Sequence, residues 1–384
     1  MKSLFMQKNG FLLLLGVIAI VSAVLVYLFM VGNASILQPA TATPMAKEPS
    51  TPIAQLHPSK SCSSRQRYFQ TGIAFPQWGP KGYGASDTRW LAELVDMRTL
   101  TAACWIEMPI LFFQSSLTST TVIPGPSTPS VSSLNYGVRF AHALGLHIFI
   151  TPLLQVRGPQ PWAGDIQFST FKQEQQWFAS YWRAIKPYVV AAAQNGVEQF
   201  ALGTEYEWLQ VHAPRSLWNG LISELRSVFP GTLTYDMNWT SVHLPPPSWM
   251  HNADLKMIGV SAYFPLVNTP KRVDPQQIFD LWKKKVKREL DTFAARLGEP
   301  IFISEIGYRN SADTLYRTYE TTSSAPPDPV EQAAAYDAAL ANIFSDQHIL
   351  GSFFWGWDDA GGAFNLKGSQ ATSVIHKYYE ALQA

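Results

Sequence analysis

From Tyr68 onward, short apolar runs alternate with longer stretches in which apolar residues return every three or four positions. The short runs read as strands. They are YFQTGIAF (68–75), ACWIEMPILFF (103–113), LHIFITPLL (146–154), EQFALGTE (198–205), TLTYDMNW (232–239), KMIGVSAYF (256–264), PIFISEIGY (300–308) and ILGSFFWGW (349–357). The stretches between them, such as FKQEQQWFASYWRAIKPYVVAAAQNG (171–196) and PQQIFDLWKKKVKRELDTFAARLG (275–298), have helical spacing, and Gly196 and Gly298 read as C-caps. Strand and helix alternation is the signature of βαβ units around a parallel sheet. Eight such units in about 317 residues predict an α/β fold, a single (β/α)8 TIM barrel over residues 68–384. A doubly wound open sheet is the rival architecture, but no Gly-x-Gly-x-x-Gly follows the first strand. Pro109 fits awkwardly, because a central strand position normally donates its N–H.

The N-terminus follows another pattern. FLLLLGVIAIVSAVLVYLFMV (11–31) runs without one charge, close to the roughly 20 residues a helix needs to cross a bilayer. Lys2 and Lys8 precede it and no basic cluster follows directly, which predicts the N-terminus inside and the remainder exported. Residues 1–33 are therefore expected to be a cytoplasmic stub and transmembrane signal anchor. Gly32, Asn33 and Ala34 also offer the small residues of a cleavage site, which would leave the protein secreted. Residues 34–67, rich in Pro, Ser, Thr and Ala, read as a linker.

Charge narrows the class. Lys and Arg number 29 against 28 Asp and Glu, a balance that argues against a nucleic-acid binder working through a basic face. Six of those basic residues and one acidic residue lie before position 68, leaving the body formally at −4. Two cysteines cannot build a disulfide scaffold or a four-cysteine zinc site. In an exported protein Cys62, just before the first strand, and Cys104, at the start of the second, can meet at the bottom of the barrel. The eight histidines show no metal-ligand spacing, and neither a Gly-x-Ser-x-Gly elbow nor a phosphate loop is present. No metal or cofactor is expected. Aromatic residues are abundant, at 13%, and flat rings serve sugar faces as well as cores.

In such a barrel, chemistry gathers at the C-terminal ends of the strands. Those ends carry Trp78, Gln114, Gln155, Arg157, Glu205, Glu207, Asn238, Trp239, Tyr263, Glu305, Arg309, Trp355, Trp357 and Asp358. Glu205 and Glu305 end the fourth and seventh strands and are expected to face each other across the mouth. Glycosidic cleavage requires two opposed carboxyls, one giving a proton to the leaving oxygen and the other attacking or shielding the anomeric carbon. Tyr263 is placed to orient Glu305, and Trp355 and Trp357 to floor the sugar ring.

At these residues the sequence resembles the family 113 glycoside hydrolases, (β/α)8 enzymes of a large retaining clan best known as endo-β-1,4-mannanases. The likeness runs through GIAFPQWGP, WAGDI (162–166), NGVEQFALGTEYE, LTYDMNW, IGVSAYFPL, ISEIGYRN (303–310) and FFWGWD. It implies that Glu205 is the general acid/base and Glu305 the nucleophile, with sugar-binding roles for Trp78, Asp165, Asn238, Tyr263 and Trp355. Many clan members carry Asn directly before the acid/base. Here it is Thr204, whose shorter hydroxyl stands where the clan's amide contacts the sugar 2-hydroxyl and is expected to alter how that position is read. Gln114, Trp239 and Trp357 complete the expected substrate contacts.

Each of these residues has a plainer reading. Glu207 competes with Glu205, since it points to the same side if the strand continues. The two glutamates can also be structural partners of Arg309, Glu107 a buried structural carboxyl, and Trp177, Trp182 and Trp282 helix packing. The sequence thus predicts an exported, membrane-tethered glycoside hydrolase with a monomeric catalytic domain, acting on a β-linked polysaccharide or oligosaccharide, with mannan-type chains first. The alternatives are a glycosidase for β-glucan or xylan, a surface carbohydrate-binding protein without catalysis, and a wall-associated scaffold.

Overall fold

A computed structural model describes residues 62–382 apart from 160 and 359–361. The segment read as a signal anchor and most of the linker lie outside the described residues. Among those described, no helix is long and apolar enough to cross a membrane.

All eight expected strands are present. They are β1 (Gln70–Ala74), β2 (Trp105–Gln114), β4 (His147–Val156), β5 (Gln199–Thr204), β6 (Thr232–Asn238), β7 (Ile258–Ser261), β8 (Ile301–Ile306) and β9 (Ile349–Trp355). Each pairs in parallel with the next, and β9 returns to β1, which closes the barrel. A ninth strand, β3 (Val122–Pro124), pairs antiparallel with the end of β2 outside the ring. The helices cover the outside, and Gly196 and Gly298 end two of them with φ of 69° and 71°. Left-handed values of that kind suit glycine at a helix end.

Pro109 is accommodated by the register. Glu107 is the last β2 residue paired with β1, and its carbonyl accepts the Phe75 N–H at 3.0 Å. Pro109, two residues on, presents its backbone to the same side, where β1 has already ended, so no ladder N–H is lost there. Its carbonyl accepts the Tyr83 hydroxyl at 2.9 Å.

The barrel interior is layered. Trp105, Phe149, Ala201, Phe302 and Phe353 fill the lower end, with Phe149 set 5.5 Å from Phe302 and 5.1 Å from Phe353 between ring centres. Above this apolar plug lies a buried polar layer of Glu107, Thr151, Asp236, Ser261 and Ser304. Below it, Cys62 and Cys104 form a disulfide with Cα atoms 5.8 Å apart.

The folded body starts earlier than the linker reading expects. A short helix, α1 (Ser64–Tyr68), is opened by a capping box between Ser63 and Gln66. Buried Gln66 donates to the carbonyls of Ala102 and Tyr379, and Ser63 donates to that of Leu382. The entry of the chain is thereby tied to its C-terminal helix.

Candidate active site

Two local irregularities aim the carboxyls at the strand ends. Between β7 and β8 the pairing steps from Gly259↔Phe302 to Ser261↔Glu305, three residues against two. Strict alternation from the interior Phe302 would send Glu305 to the helix side; the extra residue lets Ser304 and Glu305 both turn inward. Between β5 and β6 the pairing likewise slips from Ala201↔Thr234 to Thr204↔Asp236. Glu205 follows with φ of 57°, a left-handed conformation that costs a non-glycine residue about 1–3 kcal/mol and persists only where the surroundings dictate it. They do so here. The Glu205 N–H donates to the Asp236 carbonyl at 2.8 Å, and the next N–H, of Tyr206, donates to the Tyr235 hydroxyl at 2.9 Å.

Glu205 and Glu305 line one cavity of about 710 Å³. Its walls are Trp162, Asn238, Trp239, Thr240, Tyr263, Pro265, Tyr319, Thr321, Trp355 and Phe364. The carboxyls are held differently. Glu205 accepts the Trp162 indole N–H on Oε2 at 3.0 Å and the Asn238 amide on Oε1 at 2.9 Å. Glu305 accepts the Tyr263 hydroxyl on Oε1 at 2.6 Å.

Burial raises both acids. The Glu305 carboxyl is pushed up to about 8 by loss of water and then by the negative charge of Glu205 and Asp236, with the Tyr263 hydroxyl pulling the other way. Glu205 also lies above the usual carboxylate range, first through burial; donors from Trp162, Ser261 and Asn238 oppose the rise and Glu207 adds to it. The negative charge of an ionised Glu205 thus works against ionisation of Glu305.

Two buried carboxyls on one cavity with aromatic rings on its walls agree with the comparison to known families. The profile of Glycoside Hydrolase Family 113 matches residues 75–374. The chain belongs to that family. This family 113 glycoside hydrolase is also similar in fold to solved structures. One is a GH113 β-1,4-mannanase in a complex, at TM-score 0.69 and 22% identity, covering 82% of this chain and 99% of that one. Another is a GH113 β-mannanase from Alicyclobacillus acidocaldarius in complex with ManMIm, at TM-score 0.69 and 22% identity over 83% and 100%. A family 5 mannosidase from Rhizomucor miehei with bound mannosyl-fructose reaches TM-score 0.57 at 13% identity over 82% and 93%. No curated protein matches.

Of the family 113 hydrolase's expected contacts, Asn238, Trp239, Tyr263 and Trp355 line the cavity with the two glutamates. Trp239 lies nearly parallel to Tyr319, with ring centres 6.2 Å apart. Five others are placed elsewhere. Gln114 is buried and bonded internally, accepting the Trp177 indole at 2.7 Å and donating to the Ser116 carbonyl at 2.7 Å. Trp357 is buried and donates to Glu93 at 3.3 Å, away from any sugar platform. Trp78 is 45% exposed outside the cavity lining, and Asp165 is exposed at the end of a 3-10 turn, Ala163–Asp165. Thr204 is buried, and its hydroxyl has no partner among the described residues.

Glu207 does not compete with Glu205, because the strand does not continue. Glu207 opens a short helix, Glu207–His212, and its Oε1 accepts hydroxyls of Thr240 at 2.8 Å and Ser241 at 2.5 Å. Arg309 is not the glutamates' partner either. It is buried in the following loop, where it donates to the carbonyls of Arg317, Glu320, Asp313 and Tyr316.

Sequence reasoning missed Trp162, which stands in the quoted WAGDI segment three residues before Asp165. Gly164 explains its placement: a Cβ there would lie 2.4 Å from the Trp162 ring, so only glycine lets the indole fold across the turn toward Glu205. Tyr319, Thr321 and Phe364 were also missed. They lie outside the named strands and helices, where no periodic signal marks them.

Proposed function

We propose that the protein is a retaining hydrolase of β-1,4-linked mannan-type chains working by double displacement. Glu305 attacks the anomeric carbon as the bond to the leaving oxygen breaks, and Glu205 delivers its proton to that oxygen. Glu205 then takes a proton from water as the water oxygen attacks the same carbon, and the ester to Glu305 breaks with net retention. The observation that carries the reading is the pair itself: two buried carboxyls on one aromatic-walled cavity, Glu305 oriented by a single phenol and Glu205 by an indole and an amide. Support for mannan comes from the similar solved structures, described as β-1,4-mannanases. The charge-free stretch 11–31 and the Cys62–Cys104 bond support export to an oxidising compartment with the N-terminus as membrane anchor.

The test is hydrolysis of defined mannan, glucan and xylan oligosaccharides, with the anomeric form of the first-formed product read by NMR. β-product from mannan oligosaccharides, abolished in Glu305→Ala with the fold intact, is the expected result. Initial α-product would replace double displacement by inversion, and binding without turnover would replace the enzyme by a carbohydrate-binding protein.

A further inference from the structure

Beneath the two glutamates lies a carboxyl that the mechanism above does not use. Asp236 sits on β6 with no exposure to solvent, between the strand that leads to Glu205 and, across β7, the strand that carries Glu305. Three contacts connect it to both. Its backbone carbonyl accepts the Glu205 N–H at 2.8 Å, one of the bonds that hold Glu205 in its left-handed conformation. Its Oδ1 accepts the Ser261 hydroxyl at 3.1 Å and also the Ser304 hydroxyl. Ser304 directly precedes Glu305 in the chain, and Ser261 is the β7 residue paired with Glu305. A single side-chain oxygen therefore gathers the residue before Glu305 and the residue beside it, at the point where the β8 bulge turns Glu305 inward.

Resting on the assignment of Glu205 and Glu305 as the catalytic pair, we propose that Asp236 is a positioning residue that fixes the two against each other across the four strands β5 to β8. A buried carboxyl whose second oxygen has no hydrogen-bond partner among the described residues is costly in a barrel core, and apolar packing would serve stability better. Such a group is retained where it holds a geometry. Positions in a catalytic pair matter to within about half an ångström, so a loosened Ser261–Asp236–Ser304 link costs turnover more than binding.

The test compares kcat and KM on one mannan oligosaccharide for Asp236→Ala, Asp236→Asn and the Ser261→Ala, Ser304→Ala double variant, with melting temperatures and Glu305→Gln as control. Asparagine keeps an oxygen for both serines; alanine removes it. The expected result is a fall in kcat of at least tenfold in Asp236→Ala with KM within about threefold, recovery of most of it in Asp236→Asn, and a similar kcat loss in the double serine variant, which stands in should Asp236→Ala not fold. A folded Asp236→Ala or serine variant with wild-type kcat, or an asparagine variant no better than alanine, overturns the proposal while an inactive Glu305→Gln keeps the catalytic assignment. An active Glu305→Gln overturns the catalytic assignment instead.

Discussion

The Tyr263 hydroxyl points at Oε1 of Glu305 from 2.6 Å, and it is the one donor recorded on that carboxyl among the described residues. The bond stabilises the ionised form, since it opposes the rise that burial and the neighbouring acids cause. Removing it in Tyr263→Phe raises the Glu305 pKa further. The acid limb of kcat/KM should move to higher pH, with a loss of about 10- to 100-fold below the optimum, the range for a hydrogen bond to a charged group. An acid limb that stays in place would separate the phenol from control of Glu305.

Glu205 is governed by two donors of different kind. Both lower its pKa, so Trp162→Phe and Asn238→Ala should each let Glu205 hold its proton to higher pH and shift the alkaline limb of kcat/KM upward. Trp162→Phe keeps an apolar wall, so its effect on KM should be the smaller. The pH profiles of the two variants check this directly.

Glu107 makes a prediction about stability. It is buried, accepts the Thr151 hydroxyl at 2.6 Å and has no partner for its other oxygen among the described residues, and its pKa lies well above the normal range through burial first and then the charge of Glu305. With the folded value above the unfolded one, the native state holds a proton that the unfolded chain releases. Its contribution is complete below about pH 4 and declines as pH rises, at up to about 1.4 kcal/mol per pH unit. Glu107→Gln cannot titrate, so denaturant midpoints measured from pH 5 to 8 should fall less steeply in the variant than in the wild type. Parallel curves would mean that Glu107 does not hold its proton in the fold.

The Cys62–Cys104 bond closes a separation of 42 residues, worth about 4 kcal/mol of unfolded-state entropy on a polymer estimate. A Cys62→Ser, Cys104→Ser variant should unfold at clearly lower denaturant while its kcat stays close to wild type, because the bond lies at the opposite end of the barrel from the cavity. Equal midpoints would show that α1 is held by Gln66 and Ser63 alone.

The barrel was legible because each of its eight strands is a compact apolar run, and every run came within a few residues of its strand. The short β3 was not: Val122–Pro124 is three residues in a Ser- and Thr-rich loop, too short for any period. At the site, legibility ended where the chain turns. Trp355 and Trp357 look equivalent on a two-residue repeat, yet β9 stops at Trp355 and the chain then buries Trp357 against Glu93. Gln114 was lost to a partner 63 residues away, Trp177, which no local pattern reveals. Trp162 was within sight, but its neighbour Asp165 was the more obvious sugar ligand.

The Ser63 and Gln66 contacts and the disulfide fasten the incoming chain under the apolar plug, at the pole remote from Glu205 and Glu305. The first described residues therefore enter the hydrolase through its floor, and a change at this fastening leaves every wall of the cavity in place.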